Sequence, residues 1–457
     1  MLVIGLLYVA VRSNFLSKRV FFIGVISFCG ALLPLASEPA NSWPQWRGAH
    51  QNGTSTTAEN LPVSWSETEN VQWRIRLPSW SAATPIIWED TVLVTSGEQG
   101  FDTARVQNPL QNRSEKRDKL LLLAINRKNG SILWQREIGS GNRFIRKQNL
   151  ASPSPVTDGK HIWVLTGTGF LTCFDFAGEK LWQRDIQNDY GRFGLKHGYA
   201  SSPLLHDNHL YIQVLHGETT DEPSYVFAVD KATGETFWKI NRWTDAPDTE
   251  SPDGYSTPLV QKIGGKEQLI VVGGDYVTGH DLGNGKELWR MGGFNPGRKH
   301  NYRTVASSIF LDGTVYTSST NGRPFIAFRP GNGRLGPKNI LWENNLGADV
   351  PSPTTDGRLI YVLDDKGIMV ALDARSGEVV WDRIRIEPGI YSASPTLADG
   401  KIYAISEDGT TSVLQTGREF KVLAVNKFDS HTLASPAAVG SQLFIRTADH
   451  LYCLAKQ

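Results

Sequence analysis

"ALDARSGEVVW" (371–381) reads as a short apolar strand, a tight turn holding Asp373 and Gly377, and a second strand ending on Trp381. The same frame recurs as "AINRKNGSILW" (124–134), "AVDKATGETFW" (228–238) and "GHDLGNGKELW" (279–289), each with glycine four residues before tryptophan. "CFDFAGEKLW" (173–182) is one residue shorter, and "AFRPGNGRLGPKNILW" (327–342) carries an insertion. Self-similarity at this scale marks a repeat architecture. Within the frame, Asp373 is expected to cap its own hairpin turn while Gly377 takes a positive φ. A residue that recurs in many repeats is not expected to be the acid of one active site.

A second signature precedes each frame, a Ser/Thr-Pro step opening an apolar stretch: "AATPII" at Pro85, "SPSPVT" at Pro155, "ASSPLL" at Pro203, "YSTPLV" at Pro258, "PSPTT" at Pro353, "SASPTL" at Pro395 and "LASPAA" at Pro436. An eighth copy, "VASSIF", is read with Ile309 in the proline slot. Between step and frame lies a β-branched run such as "TVLVTS", "HIWVLTG" or "LIYVLDD", bounded by turn residues, which reads as a strand. Each repeat is therefore four short strands in about 40 to 50 residues, the size of a propeller blade. The last repeat, ending in "HLYCLAKQ", has no tryptophan strand, whereas "VQWRIRL" (71–77) is a tryptophan strand with no repeat before it. The expectation is an all-β, eight-bladed propeller of four-stranded antiparallel blades over 71–457, closed by pairing of the N-terminal strand with the C-terminal blade, which removes an open seam. Trp73, Trp134, Trp182, Trp238, Trp289, Trp342 and Trp381 are expected to dock between blades.

The first 40 residues are unlike the rest. Lys18 and Arg19 precede the apolar run "VFFIGVISFCGALLPLA" and the polar "SEPANSW", the pattern of an export signal, with an uncleaved N-terminal anchor as the alternative. Residues 41–70 read as an extension before the propeller. Across 457 residues the net charge is +1, and loss of Arg12, Lys18 and Arg19 with a leader leaves about −2, so no nucleic-acid partner is implied. Outside the leader only Cys173 and Cys453 remain, each in the small-residue slot of the frame, which reads as buried filler.

The frame A-x-D-x-x-x-G-x-x-x-W followed by a Ser-Pro strand resembles the tryptophan-docking repeat of the pyrroloquinoline-quinone (PQQ) propeller superfamily. The opening "WPQWRGAHQNG" (43–53) resembles the start of secreted BamB-like members. The resemblance implies one of two functions. Quinoprotein dehydrogenases hold PQQ and calcium over the channel with an acidic cluster, and many have a bridge between adjacent cysteines. BamB-like members keep the propeller as a periplasmic scaffold without that chemistry. The chain has no adjacent cysteines. The expectation is thus an exported, non-catalytic binding or scaffold protein of the periplasm or cell envelope, a monomer with no cofactor, whose partner is an envelope protein or a small polar ligand. The alternative is a PQQ- and calcium-dependent oxidoreductase of alcohols or sugars. A membrane enters only through the possible anchor.

The segments leading into the Pro-anchored strands carry Lys196, His197, Tyr199, Tyr255, His300, Tyr302, Arg303, Tyr391 and His431. The resemblance places those strands around the channel, so these residues are expected to ring one mouth and bind an anionic or sugar-like molecule or a peptide edge. "DTESPDG" (248–254), with Asp248, Glu250 and Asp253, lacks a metal-ligand spacing and is expected to be a solvated turn. "DDKG" (364–367) and "EDGT" (407–410) read as Asp-Gly hairpin turns. The polar insertion 97–119 reads as a long loop of the first blade.

Overall fold

The computed structural model describes residues 41–98, 118–145, 147–319 and 322–457. The export or anchor reading of 1–40 and nearly all of the 97–119 insertion lie outside them. The insertion's ends lengthen two strands of the first sheet, Thr91–Gly97 and Asp118–Asn126.

Eight sheets follow one another along the chain as the blades of a propeller, numbered here from the one that begins at Ile86. Blade six is typical: Thr354–Thr355, Leu359–Leu363, Ile368–Asp373 and Val379–Arg385, antiparallel throughout. The outer strand of blade eight is Val71–Arg76, paired antiparallel with His450–Leu454. Blades one, four and seven each gain a fifth strand, from Ser42–Trp43, Gly333–Arg334 and Thr54–Ser55 respectively. Among the described residues, no helix is long and apolar enough to cross a membrane.

The frame is explained by what its tryptophan touches. Within a blade, the small residue stands directly opposite the ring: Ala124 faces Trp134, Cys173 faces Trp182, Ala371 faces Trp381 and Cys453 faces Trp73. Between blades, the indole N–H reaches the turn of the next frame. Trp73 Nε1 donates to Arg127 O at 2.7 Å, Trp134 to Phe176 O at 2.9 Å, Trp238 to Leu282 O at 2.7 Å, Trp342 to Ala374 O at 3.0 Å and Trp381 to Arg418 O at 3.1 Å. The ring lies against the frame glycine there: a Cβ on Gly377, at φ +73°, would come within 2.7 Å of Trp342. Asp373 accepts the Arg375 and Ser376 N–H groups at 3.1 and 3.0 Å, and these bonds hold its carboxyl below the usual range. Trp289 differs. It bonds Gln268 in its own blade at 2.8 Å, because blade five's lengthened turn returns to pair Gly333–Arg334 with blade four's outer edge. Blade seven has Ala424 in the tryptophan position, and Trp65 from the N-terminal segment packs between blades seven and eight against Tyr403 and Phe428.

The Ser/Thr-Pro step has its own role at the channel. From blade two to blade eight, the hydroxyl of the step accepts the backbone N–H of its counterpart in the preceding blade: Thr84 to Ser154 (3.0 Å), Ser154 to Ser202 (2.9 Å), Ser202 to Thr257 (3.1 Å), Thr257 to Ser307 (2.9 Å), Ser307 to Ser352 (2.9 Å), Ser352 to Ser394 (2.9 Å) and Ser394 to Ser435 (3.0 Å). The next residue, proline, has no N–H to leave unpaired on this inner edge. These bonds correct the reading of blade five. Ser307 is the hydroxyl, so Ser308 rather than Ile309 occupies the proline slot, and Ile309 opens the strand Ile309–Leu311.

Residues 41–65 cross the far ends of the inner strands. Pro44 O accepts the Thr157 N–H in blade two, Gln51 Oε1 accepts the Val260 N–H in blade four, and Gly53 O accepts the Leu397 N–H in blade seven. Arg47, buried, donates to the carbonyls of Pro395 (3.1 Å), Asn52 (2.7 Å) and Pro353. Burial alone lowers its pKa to about 9, so it remains charged at neutral pH.

Trp80, outside the frame, is expected from sequence to contribute less than the frame tryptophans. The structure corrects this: it is 1% exposed, stacked on Phe144 and edge-on to His431. Replacing Trp381 or Trp80 with alanine is expected to cost about 3 to 5 kcal/mol, whereas Trp243→Ala, at a site 57% exposed, should stay within about 0.5 kcal/mol. Denaturant melts of the three variants check this.

Candidate functional site

The inner segments run extended past the channel, so alternate side chains face it. One level is the hydroxyl ring. Two residues earlier in each blade stands a second ring, mostly apolar, which includes Ala82, Ala200, Tyr255, Val305, Val350 and Leu433. Above it lie Lys147, His197, Arg303, Asp349 and Asp365, and below the hydroxyls lies Trp46 from the crossing segment. Together they enclose a cavity of about 620 Å³. A smaller groove of about 460 Å³ lies between blades five and six, shares Asp349 and Asp365, and is lined by Tyr302, Arg323 and Arg383.

Of the nine residues singled out from sequence, His197, Tyr255, Arg303 and Tyr391 line this cavity. Lys196 stands beside it, with Nζ 3.2 Å from Glu218 and 3.9 Å from Glu250. Tyr302 lines the groove, and His300 is exposed on the rim, 2.8 Å from Asp248. Tyr199 and His431 lie outside the cavity lining. Tyr199 falls one position out of the alternation and is buried against Phe193, its hydroxyl donating to Gln213 O at 2.9 Å. His431 turns toward Trp80, and burial lowers its pKa.

The solvated-turn reading of 248–254 holds for Asp248 alone. Glu250 and Asp253 are 9% and 0% exposed and organise the mouth. Asp253 accepts the Lys196 N–H at 2.9 Å, the Glu218 N–H at 3.2 Å and the Tyr255 hydroxyl at 3.3 Å, and burial raises its pKa to about 6. Glu250 Oε1 lies 2.8 Å from His197 Nε2 and 3.4 Å from Arg303 Nε. Arg303 also approaches Asp349 at 3.5 Å. Sequence reasoning missed Asp365 and Glu407 because both sit beside true turn residues. Asp364 caps its turn through the Lys366 and Ile368 N–H groups, which leaves Asp365 in the cavity wall. Glu407 pairs with Lys147 at 2.7 Å. Trp46 lay in an apparent extension, with no signal that this segment crosses the channel.

Cys173 and Cys453 are buried and unbridged, and burial pushes both thiols up to about 12. Among the described residues, the one group of three suited to a metal is His206, Asp207 and Glu267, which is absent from the cavity lining. The cavity offers two carboxylates, one already facing Arg303, and this donor set does not fit a calcium ion held with PQQ.

Residues 122–383 match the family model described as outer membrane protein assembly factor BamB. The chain belongs to that family. The BamB of Yersinia pestis is 22% identical over 340 residues, spanning 72% of this chain and 78% of that protein. The BamB of Alkalilimnicola ehrlichii is 28% identical over 165 residues, so the chain aligns with 40% of that relative's length and with 33% of its own. Solved structures with the same fold include BamB of Moraxella catarrhalis (TM-score 0.57, 14% identity, 84% of this chain and 99% of that one). Quinohemoprotein alcohol dehydrogenase of Comamonas testosteroni is another (TM-score 0.62, 12% identity, 91% and 80%).

Two outcomes follow from the mouth. His300→Ala is expected to leave stability nearly unchanged, whereas His197→Ala, which strips Glu250 of its nearest partner, should cost about 1 to 3 kcal/mol in denaturant melts. Burial, then the nearby Asp349, raises the Asp365 carboxyl from 3.8 to about 6. The folded chain therefore holds this proton more tightly than the unfolded chain. The ionised group destabilises the fold above pH 6, and that penalty fades as pH falls through 6 toward 3.8. Asp365→Asn should be more stable than the parent at neutral pH, by on the order of 1 kcal/mol, with the gap closing near pH 4 in melts followed across pH.

Proposed function

We propose that the chain is an exported, non-catalytic binding or scaffold protein of the cell envelope, working in the periplasm, with an envelope protein as its principal partner. Membership of the BamB family supports the placement. The observation that carries the reading is the mouth itself. Its charges are held in a network, with Lys196, His197 and Arg303 arrayed around Glu250, a rigid recognition surface at the end of a preformed cavity. No cofactor is assigned to this function.

A second reading, a PQQ-dependent quinoprotein oxidoreductase acting on alcohols or sugars, draws on the fold shared with the Comamonas dehydrogenase and on Asp365, whose raised pKa would suit a general base. The donor set of the cavity and the separate, buried cysteines speak against it. The purified chain is expected to co-fractionate with the cell envelope, to cross-link there to a protein partner, and to give no dye-linked oxidation of alcohols or sugars when supplied with PQQ and calcium. PQQ-dependent turnover would replace the first reading with the second.

A further inference from the structure

The cavity is layered in a way that selects one end of a ligand. At its inner level stand the hydroxyls of the Ser/Thr-Pro steps, six of which line it. Each of these oxygens already accepts an N–H from the preceding blade, and no protein acceptor among the described residues receives its proton. Accepting one hydrogen bond makes the O–H a better donor, so the ring presents convergent donors to whatever occupies the axis. Beneath it, the Arg47 guanidinium is held by three carbonyls and pairs with no carboxylate among the described residues. Above it, the second ring is mostly apolar, with Ala82, Ala200, Val305, Val350 and Leu433 joined by Ser152, Tyr255 and Ser392. Only the mouth carries carboxylates, Asp349 and Asp365. An anionic group left at the mouth meets those acids, whereas one carried inward meets O–H dipoles, with the Arg47 charge lying behind the lining.

We propose that the cavity binds a slim ligand that ends in a carboxylate, with the carboxylate seated in the hydroxyl ring, an apolar segment against the ring above, and the remainder emerging past His197 and Arg303. This rests on reading the cavity as a binding site, but not on the envelope partner. The crossing of the channel by residues 41–55, with Trp46 in the wall, places the anionic end where it stops. A free aliphatic acid and the carboxy terminus of an apolar peptide share this chemistry.

Calorimetric titration of the full chain separates the sources. The probes are octanoate, octanamide, and a short apolar peptide with a free or an amidated carboxy terminus. At least one acid is expected to bind about tenfold or more tighter than its amide, since a charge-assisted bond is lost with the charge. Binding of octanoate alone assigns a free acid, and binding of the peptide acid alone assigns a chain end. Ala200→Phe, which fills the apolar ring, should abolish the binding, and the acid–amide comparison stands on the unaltered protein if that variant does not fold. Equal binding of acid and amide, or no binding of either acid at millimolar concentration, would overturn the proposal. Cross-linking to an envelope partner is a separate readout, so it can persist if this inference fails.

Discussion

An inner edge lined by unpaired backbone donors is the problem a propeller must solve at its axis, and at seven of the eight blade junctions it is solved here by handing a donor to the next blade. The Ser/Thr hydroxyl takes one N–H, and the proline after it removes the next, so two successive residues satisfy the inner edge without any further strand. Because each bond joins two blades, the angle between neighbours is fixed close to the axis. The outer tryptophans fix it again at the rim through the indole N–H and the frame turn. The two sets of contacts act at opposite ends of each sheet, so a blade that tilts must break one or the other.

Where the repeat is imperfect, other parts of the chain fill in. Blade seven has alanine in its tryptophan position, and Trp65 occupies the gap beside Phe428. Blade five cannot receive Trp289 on its lengthened turn, and that turn instead adds a strand to blade four. The crossing segment makes a third substitution, because Arg47 satisfies carbonyls of Pro353 and Pro395 that no neighbouring strand reaches. A buried arginine bound only to carbonyls is costly, and Arg446, which donates to the Thr95 and Ser79 carbonyls, is a second.

The repeat was legible because it is written in residue types that leave little choice: a small residue opposite tryptophan, aspartate at a turn, glycine at positive φ. Seven proline steps could be read directly. The eighth was displaced by one residue, since "ASSI" offers two serines and only the hydrogen bond from Thr257 distinguishes them. The mouth was legible in part. Tyr255 and Arg303 sit in phase with the channel-facing positions, whereas Tyr199 lies one position out and Tyr391 reaches the cavity from the same offset, so composition alone could not sort them. Glu250 and Asp253 looked like a solvated turn because their partners, Lys196, His197 and Arg303, come from other loops. Trp46 carried no sign of its position because crossing the channel is a matter of path, not of local sequence.

The sheet shared by Val71–Arg76 and His450–Leu454 makes the closing of the ring wait until both strands have been made. Val71–Arg76 has no partner until the strand made about 380 residues later emerges, and this is the longest-range strand pairing among the described residues, the kind that raises contact order and slows folding. Until then blade eight lacks its outer strand and Trp73 has only one of its two neighbours, so a chain stalled or cut short exposes an unpaired β-edge with apolar surface beside it. For a chain of this architecture, keeping that first strand unpaired and out of trouble while the remaining seven sheets form is a task that falls to whatever accompanies the newly made protein.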